Sequence, residues 1–92
     1  MRNLNLKKLR KQIDKVDQKL IKFLKKRIEI TKKIGIYKKI YQMPPCDRER
    51  EKNLFQKIKI SAEKLNLDPE LIKKIFEIIL KKVKKDHRKI KK

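Results

Sequence analysis

The chain has 92 residues and a formal net charge of +20, with 31 Lys and Arg against 11 Asp and Glu. This length allows one domain with a modest core, predicted over 1–92, and the single Cys46 excludes both an intramolecular disulfide and a multi-cysteine metal site. No stretch approaches the roughly 20 apolar residues of a membrane span, and the polar N-terminus is not a secretory signal, so a cytoplasmic protein without bound metal is expected.

The first predicted helix runs from about Leu4 to about Tyr41, with Gly35 inside it. Apolar residues recur there every three or four positions, which is the pattern of a helix with one apolar face. Counted in sevens, one row of that face reads Leu6, Ile13, Leu20, Arg27, Ile34 and Tyr41. A guanidinium in an apolar row costs several kcal/mol unless it is paired. Arg27 therefore predicts an anionic partner, either a ligand or a carboxylate such as Glu29 or Glu51.

Two shorter helices follow. Pro44–Pro45 ends the first helix, and the second is predicted from near Asp47 to near Leu65. Asp68–Pro69–Glu70 opens the third, with Asp as the cap, Pro at the first position and an acid in the first turn. The third helix continues towards Ile90. The fold class is therefore all-α, with one long and two shorter helices.

Several polar residues lie on or beside the apolar faces, where they predict a net positive cavity. They are Arg10, Asp17, Arg27, Thr31, Lys38, Asp47, Arg50, Glu51 and His87. Arg27 and Lys38 are roughly 16 Å apart along a helix, so both can reach one small ligand. Arg10 and Arg27 are roughly 25 Å apart. Arg10 can join the site only from a second protomer with antiparallel long helices, and such a homodimer would also cover the long apolar face.

These residues resemble the all-helical chorismate mutases over nearly the whole chain. The matching positions are Leu9-Arg10-x-x-Ile13-Asp14-x-x-Asp17-x-x-Leu20, Arg27, Ile34-Gly35-x-x-Lys38, Asp47-Arg48-Glu49-Arg50-Glu51 and Leu67-Asp68 with Ile75-Phe76-x-x-Ile79. The resemblance implies an intertwined homodimer of three-helix protomers with two equivalent sites. It also implies rearrangement of chorismate to prephenate, a step towards Phe and Tyr, without a cofactor.

The resemblance also assigns roles by position. Arg27, with Arg10 of the partner protomer, would bind the two carboxylates of the substrate. Lys38 would contact the enolpyruvyl end and the ether oxygen. Glu51, with Asp47 nearby, would hold the ring hydroxyl, and Arg50 would complete the positive wall.

Two positions of the third helix depart from the family pattern. Val83 stands where the family often has Ser, which removes one hydrogen bond to a carboxylate. His87 stands where Gln, or sometimes Glu, meets the ether oxygen. A neutral His donates from one ring nitrogen, whereas a protonated His donates from both and adds charge. We therefore expect turnover to rise as pH falls through the titration of His87.

Three alternatives compete with this reading. An isochorismate pyruvate lyase on the same fold would be favoured by absence of the Arg50–Glu51 pair, which is present. A basic nucleic-acid-binding module would place Arg and aromatic residues on an exposed face. The aromatic residues on or beside the apolar stripes are instead Phe23, Tyr37, Phe55 and Phe76. A catalytically inactive regulatory domain would be expected to accompany a partner domain. Nothing in these 92 residues suggests such a partner domain, so a stand-alone enzyme is the expectation.

Overall fold

The computed structural model describes residues 5–45 and 47–89, which form three helices with no strand among them. Helix α1 spans Leu6–Ile40, α2 spans Arg48–Lys64 and α3 spans Pro69–Lys89. The predicted all-α class, with one long and two shorter helices, is confirmed. The predictions made for Leu4, Cys46 and Ile90 fall outside the described residues.

Helix α1 is 35 residues long and begins with a side-chain cap. The Asn5 Oδ1 accepts hydrogen bonds from the N–H groups of Lys7, at 2.9 Å, and Lys8, at 3.4 Å. The first N–H groups of a helix have no acceptor within the helix, and the Asn5 side chain provides one. The chain divides into two units within α1, one ending at Thr31 and the other beginning at Lys32.

The apolar face of α1 is exposed in the first unit. The side chains of Ile13, Val16, Leu20 and Phe23 remain between 53% and 69% exposed. Burying an apolar side chain of this size stabilises a structure by about 1.5–3 kcal/mol. That stabilisation is not realised at these four positions of the described chain.

In the second unit, α1 ends in a Schellman motif, the hydrogen-bonded turn that commonly terminates helices. The Met43 N–H donates to the Lys38 carbonyl at 2.7 Å, and the Gln42 N–H donates to the Lys39 carbonyl at 3.2 Å. Gln42 has a φ of 52°, a left-handed conformation that usually selects glycine because Cβ is crowded there. The turn redirects the chain towards Pro45.

Helix α2 begins after Asp47, whose Oδ1 accepts a hydrogen bond from the Arg50 N–H at 3.0 Å. It ends with a second Schellman motif, centred on Asn66 with a φ of 57°, in which the Leu67 N–H donates to the Ala62 carbonyl at 2.8 Å. The predicted start near Asp47 and end near Leu65 are both confirmed.

Helix α3 begins as its sequence predicts. Pro69 is its first residue, and the Asp68 Oδ1 accepts a hydrogen bond from the Glu70 N–H at 3.0 Å. Helices α2 and α3 pack against each other, and Ile58 and Ala62 are 8% and 2% exposed. No helix in the described ranges is long and apolar enough to cross a membrane.

Candidate active site

A small cavity lies where the end of α1 meets the end of α3. Its volume is about 200 Å³, and it is lined by Gly35, Lys38, Lys39, Gln42, Met43, Pro45 and His87. Gly35 is buried, and its lack of a side chain leaves space beside the helix. The turn at Gln42 brings Met43 and Pro45 back over the last turn of α1. Two predicted site residues, Lys38 and His87, are therefore brought to one cavity from different helices.

Lys38 is half-buried, and its ammonium group is held at the cavity wall. Its Nζ donates a hydrogen bond to the Pro45 carbonyl at 3.2 Å. An ammonium group has three donors, so two remain for a ligand. The hydrogen bond restricts the otherwise flexible lysine stem, which reduces the entropy lost when the side chain binds an oxygen.

His87 is half-buried in the last turns of α3. Its Nδ1 atom is buried, while the side chain contributes to the cavity that Lys38 also lines. Val83, one turn earlier, is half-buried as well. An imidazole beside an ammonium group makes the cavity polar and cationic at this end, which suits an anionic or electron-rich ligand.

The three other predicted residues of the second unit lie at the start of α2, one as its N-cap and two in its first turn. The side chain of Asp47 caps the helix, and Arg50 is exposed. The carboxylate of Glu51 is half-buried and forms an ion pair with Lys84 of α3, with Oε1 and Nζ 2.6 Å apart. Asp47 thus has a structural role that the family resemblance did not assign to it.

Arg10 and Arg27 both lie in the first unit. Arg10 is exposed, whereas Arg27 is half-buried and its Nη1 atom is buried. On the same helix, Glu29 forms an ion pair with Lys25 at 3.9 Å. On a continuous helix, positions 10 and 27 are separated by roughly 25 Å.

The sequence of this chain matches one family over most of its length. Residues 9–88 match the family described as chorismate mutase type II. The chain belongs to the chorismate mutase type II family. This membership confirms the sequence-based prediction of a chorismate mutase, with isomerase as the enzyme class.

Individual relatives agree with this assignment. The chain is 32% identical over 75 residues to a chorismate mutase of Methanocaldococcus jannaschii, covering 82% of this chain and 76% of that protein. It is 34% identical over 73 residues to the T-protein of Enterobacter agglomerans, covering 79% of this chain but 20% of that protein. It is 40% identical over 53 residues to a bifunctional chorismate mutase/prephenate dehydratase of Aquifex aeolicus, covering 58% of this chain and 15% of that protein.

Sequence reasoning missed two residues that contact predicted site residues, Pro45 beside Lys38 and Lys84 beside Glu51. The Pro45 carbonyl was part of a segment interpreted only as a helix terminator. Lys84 was one of many lysines in a basic helix end. A helical spacing of Glu77, Leu80, Lys81 and Lys84 on one face was visible in the sequence, but nothing in it indicated that this face meets Glu51.

Proposed function

We propose that this chain converts chorismate to prephenate, the rearrangement that leads towards Phe and Tyr. The observation that carries the proposal is the family match over residues 9–88, which spans every predicted site residue. The cavity that Lys38 shares with His87 supports it, because it offers cationic donors to a small oxygen-rich ligand.

The proposed reaction is a pericyclic rearrangement in which the ether C–O bond breaks while a C–C bond forms. It requires neither a nucleophile nor a proton transfer, and no cofactor is proposed. Negative charge grows on the ether oxygen as its bond breaks, and the fixed ammonium of Lys38 would stabilise that charge. The walls of the site would hold the flexible enolpyruvyl group over the ring, which lowers the entropic part of the barrier.

The remaining roles follow the family positions. Glu51, with Asp47 nearby, would accept a hydrogen bond from the ring hydroxyl, and Arg50 would add positive charge. His87 would donate a hydrogen bond to the ether oxygen in place of the family's Gln. Val83 would contribute apolar contact where a Ser would donate a hydrogen bond. Arg27 would bind a substrate carboxylate through its planar fork.

We further propose an intertwined homodimer of single domains, 1–92, in which the long helices are antiparallel. Its support is the exposed apolar face of α1, since a row of side chains more than half exposed favours a protein interface. The partner's α1 would cover this face and would deliver Arg10 to the site that contains Arg27. The expected cytoplasmic location stays a prediction that cell fractionation would test.

The reaction is tested by mixing purified protein with chorismate and measuring both its loss and its products. Formation of prephenate above the uncatalysed background between about pH 5 and 8 is expected, the range in which histidine changes charge. Formation of salicylate and pyruvate would instead establish the lyase alternative. No turnover across this range would refute both activities.

The dimer is tested by subunit exchange between two inactive variants. Arg10→Ala and Arg27→Ala should each be nearly inactive as homodimers, because both of their sites lack one arginine. A mixed dimer should regain one intact site if Arg10 crosses the interface, so activity should return on mixing. An Arg10→Ala, Arg27→Ala double variant mixed with wild type provides the control, since its mixed dimers contain no intact site. Absence of recovery after verified exchange would contradict the crossed site.

A further inference from the structure

Glu51 is held by a cation from another helix. Lys84 of α3 places its Nζ 2.6 Å from Oε1 of Glu51 on α2, and the two side chains are 36% and 25% exposed. The pair borders a cavity of about 400 Å³ whose other lining residues are Phe55, Glu77, Leu80 and Lys81. Partial burial reduces screening by solvent, so this pair holds its geometry better than a fully exposed one.

Two other ion pairs among the described residues differ in kind. Lys25–Glu29 and Lys82–Asp86 each join positions i and i+4 of one helix. Their lysine side chains are 78% and 62% exposed. Such pairs stabilise their own helix by a few tenths of a kcal/mol and do not restrain a second helix. The Lys84–Glu51 pair instead joins two helices and restrains a carboxylate that belongs to the proposed site.

We propose that Lys84 is a positioning residue for Glu51, an inference that rests on the proposed function. Lys84 occupies Oε1, and the carboxylate retains lone pairs on Oε2 for the ring hydroxyl of the substrate. Holding one oxygen selects a single orientation of a side chain with three rotatable bonds. The substrate hydroxyl then meets an acceptor that is already oriented, so less conformational entropy is lost on binding.

The proposal predicts a specific kinetic signature. Lys84→Met keeps an unbranched, helix-compatible side chain but removes the cation, and it should raise KM by about fivefold while kcat stays within about twofold. Lys84→Arg should have a KM close to that of the wild type, because it keeps a cationic donor at the same place. Lys81→Met is the matched control, because Lys81 lines the same cavity without an ion pair among the described residues.

A double-mutant cycle with Glu51→Gln separates positioning from a general structural effect. If Lys84 acts through Glu51, Lys84→Met should change KM little in the Glu51→Gln background. Three results would overturn the inference while leaving the proposed function intact. The changes in KM caused by Lys84→Met and Glu51→Gln could multiply in the double variant, as they do for independent residues. Alternatively, KM could be unchanged in Lys84→Met, or Lys81→Met could change KM by the same factor. A folded wild type with no chorismate turnover would overturn both. Thermal unfolding of each variant tests whether a change in KM is caused by loss of folding. Lys84→Gln provides a second substitution that also removes the cation.

Discussion

At the scale of single residues, Lys38 has the surroundings that the proposed chemistry needs. Lys38 is half-buried and lines the cavity, and its ammonium group donates one hydrogen bond to the Pro45 carbonyl at 3.2 Å. A cation already oriented before the reaction stabilises developing charge without the reorganisation that water requires. The same hydrogen bond explains how a flexible side chain can act as a fixed donor.

Replacement of Lys38 by Met should therefore lower kcat by about a hundredfold or more, since loss of one preorganised donor has effects of that size. Steady-state kinetics with chorismate measures the change. The neighbouring Lys39 lines the same cavity, so Lys39→Met removes an equal charge without removing the proposed donor and should have a far smaller effect. Similar losses in the two variants would contradict a specific role for Lys38.

His87 makes a second prediction, on pH. A protonated imidazole donates from both ring nitrogens and carries positive charge, so it stabilises the ether oxygen better than the neutral form. The cavity that His87 lines also contains Lys38 and Lys39. Turnover should thus rise as pH falls. His87→Gln should remove this dependence, and an identical pH profile in wild type and variant would refute it.

At the scale of secondary-structure elements, the start of α2 combines a cap with a proposed binding residue. The Asp47 Oδ1 accepts the Arg50 N–H at 3.0 Å, and the same residue lies near the proposed ring-hydroxyl acceptor, Glu51. Asp and Asn cap helices about equally well, whereas Ala does not cap. Two substitutions can therefore separate the structural role of Asp47 from a charge-dependent one.

Asp47→Ala should lower the free energy of unfolding by about 1 kcal/mol, measured by urea denaturation. Asp47→Asn should retain most of that stability because the side-chain oxygen still accepts the Arg50 N–H. If the charge of Asp47 also contributes to binding, Asp47→Asn should raise KM at nearly unchanged stability. An equal loss of stability in both variants would show that the cap is not the source of the effect.

The ends of these elements were predictable because their signals are local. Asp68 and Pro69 start α3 where their side-chain and backbone chemistry indicates, and Asp47 caps α2. The end of α1 was predicted from the two prolines, but its left-handed residue, Gln42, was not. A glycine usually identifies such a position in a sequence. Gln42 adopts the left-handed conformation because the hydrogen bonds of the Schellman motif compensate for its crowded backbone.

At the scale of the whole molecule, contacts between distant elements were harder to predict. The common location of Lys38 and His87 followed from helical spacing and the family resemblance, because both lie on inward faces. The Lys84–Glu51 pair did not, since a chain with 31 Lys and Arg residues offers many equivalent cations to any carboxylate. Only the packing of α2 against α3 selects one of them.

The net charge of +20 gives a final prediction for the whole enzyme. Chorismate carries two carboxylates, so the surrounding positive potential should raise its local concentration near the site and favour its encounter. Screening shortens the Debye length from about 30 Å at 0.01 M to about 8 Å at 0.15 M ionic strength. Over this range kcat/KM should fall by about tenfold, while kcat changes little because the bound substrate is already in place. Chloride and sulfate salts compared at equal ionic strength separate screening from competition, since screening depends on ionic strength whereas competition depends on the anion. A kcat/KM that stays constant in both salts would contradict electrostatic attraction of the substrate.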